Sequence, residues 1–203
     1  MINKGKSYIF IIALLPFFRL IWLGLSDGLG ANPVEFVIRS LGTWTLVLLL
    51  ATLAMTPVRL MAKVSWPNHF RRMLGLFAFF YACLHILSYA GLDLWFNWND
   101  IAHDIAKHPY VLVGFGGFLL LIPLAATSTN IMMKRLGRRW KPLHRLIYLS
   151  AALGVTHYWW LVKKDIREPL IYAAILALLL GVRVLHQYRM RVSERTELRP
   201  AHG

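Results

Sequence analysis

Four ionisable side chains lie within or at the edge of long apolar stretches of the chain: Arg19, His85, His144 and His157. Such groups are costly in lipid, so each marks a place where chemistry could be done. Spacing sorts them. His85 follows Arg72 by 13 residues, and His157 follows His144 by the same 13. The two stretches run in the same direction across the membrane, and at 1.5 Å per residue both imidazoles stand about 20 Å from the basic boundary. Two level histidines on separate helices are what a bis-imidazole b-type haem requires, with the flat macrocycle between the helices and both axial positions filled. Filled positions suit electron transfer better than oxygen binding. The plainer alternative is that each imidazole hydrogen-bonds a neighbouring carbonyl. Zinc is disfavoured, because two histidines leave two ligand positions without an obvious donor.

His144 sits among Arg138, Arg139, Lys141 and Arg145 at the basic boundary. It reads either as a ligand of a second haem or as a helix-start residue binding a phosphate, a propionate or a backbone group. Its level on the third stretch is occupied by Arg72, which is not a usual axial ligand. On a straight helix His144 also faces about 220° away from His157. Arg71 and Arg72 read as topology anchors or, more sharply, as binders of a propionate or flavin phosphate. Arg19 can snorkel outward or meet an outer haem propionate. His69, His103, His108, His186 and His202 are assigned no chemistry. The run Thr127, Ser128, Thr129 reads as a helix end satisfying its own carbonyls.

The elements that must carry these residues follow from composition. Of the 203 residues 58% are apolar and only 16% are charged, against about 25% charged in ordinary soluble domains. Six stretches are long enough for membrane helices: Tyr8 to Leu25, Leu41 to Val58, Met73 to Leu92, Tyr110 to Ser128, Leu143 to Val162 and Pro169 to Leu185. The expected fold is all-α, a polytopic membrane bundle of six transmembrane helices. It forms one unit, 1–203, with a core of about 8–185 and a basic tail, 189–203, expected to fray.

The net charge of +14 would suggest nucleic acid only if the basic residues shared a polar surface; here they cluster between apolar runs, so nucleic acid is excluded as a partner and the lipid bilayer is expected. Most Lys and Arg fall between Arg59 and Arg72, between Lys134 and Arg145, and from Arg183 onward. Positive residues gather on the cytoplasmic side, which places both termini there. Arg39, Lys107, Lys163, Lys164 and Arg167 form the sparse outer set. The single cysteine, Cys83, excludes a disulfide framework, Cys-ligated zinc and iron–sulfur clusters. Gly114, Gly116 and Gly117 lie inside an apolar stretch, where close helix packing is expected rather than dinucleotide binding. No internal repeat stands out.

Several motifs together carry a resemblance: LLPF at Leu14 to Phe17, GLGANPVE at Gly28 to Glu35, RRMLGLFAFFYACLHILSY at Arg71 to Tyr89, HPY at His108 to Tyr110, TSTNIMMKRLGRRWKPLHRLIYL at Thr127 to Leu149, HYWWLVK at His157 to Lys163 and PLIYA at Pro169 to Ala173. The sequence resembles the MsrQ (YedZ-like) haem-binding membrane subunits of bacterial periplasmic methionine-sulfoxide reductase systems, within the ferric-reductase-like transmembrane superfamily. The resemblance implies a multi-pass inner-membrane cytochrome with haem b and FMN. It would take electrons from the quinone pool or a cytosolic flavin reductase and pass them to MsrP, a periplasmic molybdopterin enzyme that repairs oxidised proteins. The family's haem histidines carry over onto His85, His144 and His157. Oxidase relatives have two histidines on each of two helices, and Arg72 replaces one here, so the resemblance allows one haem or two.

Two other functions compete with an electron conduit. One is a small-solute or metal-ion permease lined by histidines, although the broken midplane helices and repeats common in transporters are not evident. The other is a membrane anchor whose histidines are structural.

Overall fold

In lipid a backbone can hydrogen-bond only to itself, so long apolar stretches become helices bounded by residues that cap them. The computed structural model describes residues 2–162 and 165–197, with side chains for 5–162 and 165–193. Among the described residues it is helical, with no strand. Helix α1 spans Ile2–Leu25 and α2 spans Pro33–Ala62. Asn32 caps α2 by accepting the Glu35 N–H at 3.3 Å, and Pro33 supplies the preset first-turn dihedral. Helix α3 covers Asn68–Ser88 and runs into a π-helical turn, Tyr89–Asp93. A short amphipathic helix, α4 (Trp98–Lys107), then leads to α5 (Pro109–Ala126).

After α5 come α6 (Asn130–Leu136), a 3-10 turn and α7 (Trp140–Leu143), then α8 (Leu146–Leu161) and α9 (Arg167–Glu197). Helices α2 and α3 pair along their length, as do α5 and α8; α9 packs on α2 and α8, and α1 leans on α3. The α1 contact is pinned by Tyr81, whose fully buried hydroxyl donates to Ala13 O at 2.7 Å and accepts from Phe17 N–H at 3.1 Å. That hydroxyl is inserted into the helical ladder beside Pro16, the residue without an N–H. Phe79 of α3 stacks on Phe118 of α5, tying the two helix pairs together.

Among the described residues five helices are long and apolar enough to cross a membrane: Gly5–Leu25, Pro33–Ala62, Asn68–Asp93, Pro109–Ala126 and Arg167–Ser193. The remaining expected stretch, Leu143 to Val162, is shortened. Helix α8 has 16 residues, about 24 Å long against a bilayer core of about 30 Å. A tight turn, with His144 N–H on Trp140 O and Arg145 N–H on Pro142 O, breaks the chain before Leu146. The basic tail also differs from expectation, since α9 continues as helix to Glu197. Lys163, Lys164, Arg199 and His202 lie outside the described residues.

Candidate functional site

His85 on α3 and His157 on α8 are brought together, with ring centroids 6.3 Å apart and planes crossing at 78°. Each ring is fastened through Nδ1 to a carbonyl on the helix paired with its own. His85 Nδ1 lies 2.9 Å from Ile38 O on α2, and His157 Nδ1 lies 2.7 Å from Tyr110 O on α5. A carbonyl oxygen only accepts, so Nδ1 carries the proton in both rings and Nε2 keeps a lone pair. The carbonyl bonds of the plainer alternative are thus present, and they leave Nε2 of each ring unprotonated.

Room for the rings comes from two glycines that sequence reasoning did not connect with them. A Cβ on Gly42 would stand 3.0 Å from His85 Cε1, and one on Gly114 would stand 2.6 Å from His157 Nδ1. In each pair the glycine lies four residues after the accepting carbonyl, one helical turn along. Advancing Ile38, Gly42 and His85 by 72 positions gives Tyr110, Gly114 and His157. This is an internal correspondence between the two helix pairs, hidden because few other positions at that interval, Leu74 and Leu146 among them, share a residue type. The signal available was that each histidine stands 43 residues after a glycine within an apolar stretch. Gly117, by contrast, serves packing, with Ser150 O and Leu153 Cβ about its open face.

The same step takes Arg72 to His144, at the basic end of the helices. His144 lies in the turn before α8, stacked on Trp140 at 4.0 Å. Thr127 Oγ1 donates to Pro123 O at 2.6 Å, so it accepts from His144 Nε2–H at 3.0 Å. Unlike the other two, this ring has its Nε2 engaged by the protein. Arg72 is exposed and donates to Asn130 Oδ1 at 2.5 Å. Arg71 is half-buried, near enough for its charge to act on His144. Arg19 lines the exposed apolar face of α1 with Phe18 and Trp22. Thr127 and Ser128 return their hydroxyls to Pro123 O and Leu124 O, while Thr129 caps α6.

At the opposite end, Tyr110 stands between His157 and His108, with ring centroids 5.8 and 5.4 Å away. His108 Nδ1 meets Asp104 Oδ1 at 2.9 Å, and Tyr89 Oη donates to Asp104 Oδ2 at 2.6 Å. His108, assigned no chemistry from sequence, therefore belongs to a polar cluster that ties α4 to the π-turn beside the histidine pair. Among the described residues no group of three or more His, Cys, Asp or Glu side chains is placed to hold a metal ion. A two-histidine set suits a metal whose remaining donors come from a macrocycle.

Residues 41–155 match the family model described as ferric reductase like transmembrane component. A protein of Herminiimonas arsenicoxydans named protein-methionine-sulfoxide reductase heme-binding subunit MsrQ is 53% identical over 92% of this chain and 87% of its own length. Proteins of the same name from Rhodospirillum rubrum and Bordetella pertussis are 52% and 47% identical, over 94% and 96% of this chain and 92% and 95% of theirs. The chain belongs to the MsrQ family. It is a multi-pass membrane protein of ferric-reductase-like architecture. The matched segment holds α3 and α5 whole, most of α2 and α8, and His85 and His144; His157 stands two residues beyond it, and α1 and α9 lie outside.

Proposed function

We propose that this chain is the haem b electron-transfer subunit of a methionine-sulfoxide reductase system in the bacterial inner membrane, with six spans and both termini in the cytoplasm. Electrons arrive from the quinone pool or a cytosolic flavin reductase and leave to a periplasmic molybdopterin partner, MsrP, for the repair of oxidised periplasmic proteins. His85 and His157 would hold the haem iron. His144 and Arg72 belong to the basic end, where a second haem or the FMN phosphate would bind.

One observation carries this reading: two imidazoles on different helices, both with Nε2 free, at a centroid separation of 6.3 Å. Donor nitrogens at about 2 Å from a shared metal ion would put their imidazole centroids on the order of 6 Å apart. When bound, the haem supplies a one-electron carrier within the low-dielectric span. The protein's contribution is positional. The Ile38 and Tyr110 carbonyls fix the tautomer and ring direction and make Nε2 a better donor. Gly42 and Gly114 let the rings lie against their helices, and with both histidines holding the haem, electron transfer would be favoured over oxygen binding.

Proteoliposomes with ferricyanide trapped inside test the conduit. Dithionite added outside is expected to reduce the trapped oxidant faster with the wild-type protein than with the His85→Ala/His157→Ala double variant. Equal rates for the two proteins, or a wild-type rate no faster than that of protein-free liposomes, would overturn the proposal.

A further inference from the structure

Arg183 of α9 is 7% exposed and has no acidic partner among the described residues. Sequence reasoning counted it as a boundary charge. Instead its guanidinium enters the bundle between α2 and α8, donating from Nη1 to Tyr148 Oη at 2.5 Å and from Nη2 to Leu53 O, and lying 5.1 Å from the centre of the Tyr148 ring. Its Nε–H is buried without a partner. The half-buried Arg71 is near enough for its charge to act on Arg183, adding like charge. A phenol, a carbonyl and a ring face offer dipoles, not a countercharge, and a buried cation without an anion is strongly unfavourable.

Among the described residues no side-chain anion stands beside it. No Asp or Glu occurs between Glu35 and Asp93, between Asp104 and Asp165, or between Glu168 and Glu194. The ion pairs among the described residues, Arg39–Glu35 and His108–Asp104, involve neither arginine. We propose that Arg183 and Arg71 together hold an oxyanion, a carboxylate or a phosphate, among α2, α3, α8 and α9 at the basic end. Two sources of that chemistry within the membrane are a phospholipid headgroup and a haem propionate, and only the second rests on the function proposed above.

The test uses the full chain in nanodiscs of phosphatidylcholine doped with phosphatidylglycerol. Phosphatidylglycerol retained after detergent exchange is counted by mass spectrometry for wild type, Arg183→Gln, Arg71→Gln and Arg183→Lys. In parallel, the haem midpoint potential is measured after loading with haem or with its dimethyl ester. A lipid source predicts roughly tenfold weaker retention in both Gln variants and recovery in Arg183→Lys. A propionate source predicts a potential difference between haem and ester in wild type that disappears in Arg183→Gln. Unchanged lipid retention together with no such difference, in variants of normal helical content, would reduce Arg183 to a tie between α2 and α8 and overturn the proposal. Arg71→Gln decides the matter if Arg183→Gln does not fold. A wild type that binds no haem would sink the proposed function while leaving the lipid count to decide this inference.

Discussion

Helices α2 and α3 pair along their length, as do α5 and α8, and each pair seats one histidine by the same device. A carbonyl accepts Nδ1–H, and a glycine one turn later leaves space for the ring. Away from that level the pairs diverge. Ser150 of α8 donates to Gly117 O at 2.9 Å, whereas its counterpart 72 residues earlier is the fully buried Ala78. At the basic end His144 stacks on Trp140, whereas its counterpart Arg72 is exposed and reaches Asn130. Similarity is thus concentrated where two imidazoles must present the same nitrogen to one another. Elsewhere each pair follows its own packing.

The comparison is broken most forcefully at the glycines. Gly114→Ala forces a methyl to 2.6 Å from an imidazole that is pinned to Tyr110 O, whereas Gly42→Ala meets His85 at 3.0 Å. Overpacking of this kind costs about 1–3 kcal/mol. Gly114→Ala is expected to lower haem per polypeptide and thermal stability more than Gly42→Ala; the reverse order would mean that the rings are not held as described.

Next in size is the pair that differs. Ser150→Ala removes a buried hydrogen bond, at a cost of about 1 kcal/mol. Ala78→Ser buries a new hydroxyl in α3 and is expected to destabilise as well. Denaturant unfolding of both variants checks this, and a stabilising Ala78→Ser would show that α2 offers the acceptor α5 does.

The smallest effect is expected at the basic end. His144→Ala should leave the haem between His85 and His157 in place, with its reduced-minus-oxidised spectrum unchanged. Haem analysis of that variant counts the groups: an unchanged ratio means one haem, a halved ratio two, and complete loss would contradict the separation of the two ends.

Much of this was legible in the chain because helical rise converts residue counts into depth. The shared interval from Arg72 to His85 and from His144 to His157 was enough to bring two imidazoles to one level. Depth says nothing about rotation, however, so the carbonyls of Ile38 and Tyr110 and the glycines behind them were invisible until the helices were paired. The same limitation hid Arg183: near a basic boundary, an arginine that turns inward has the same sequence signature as one that snorkels out. The break before α8 was missed because apolar content continues through Leu143, while the turn there depends on backbone bonds at Trp140 and Pro142. Asp104 and His108 lie in a polar segment, and only the fold brings Tyr89 to them.

Low-temperature electron paramagnetic resonance of the oxidised, haem-loaded protein asks most directly whether the two rings share one iron. The account predicts a low-spin bis-imidazole signal in wild type that is lost in both His85→Ala and His157→Ala, and that added imidazole restores in each. A signal that survives either single substitution unchanged would contradict it.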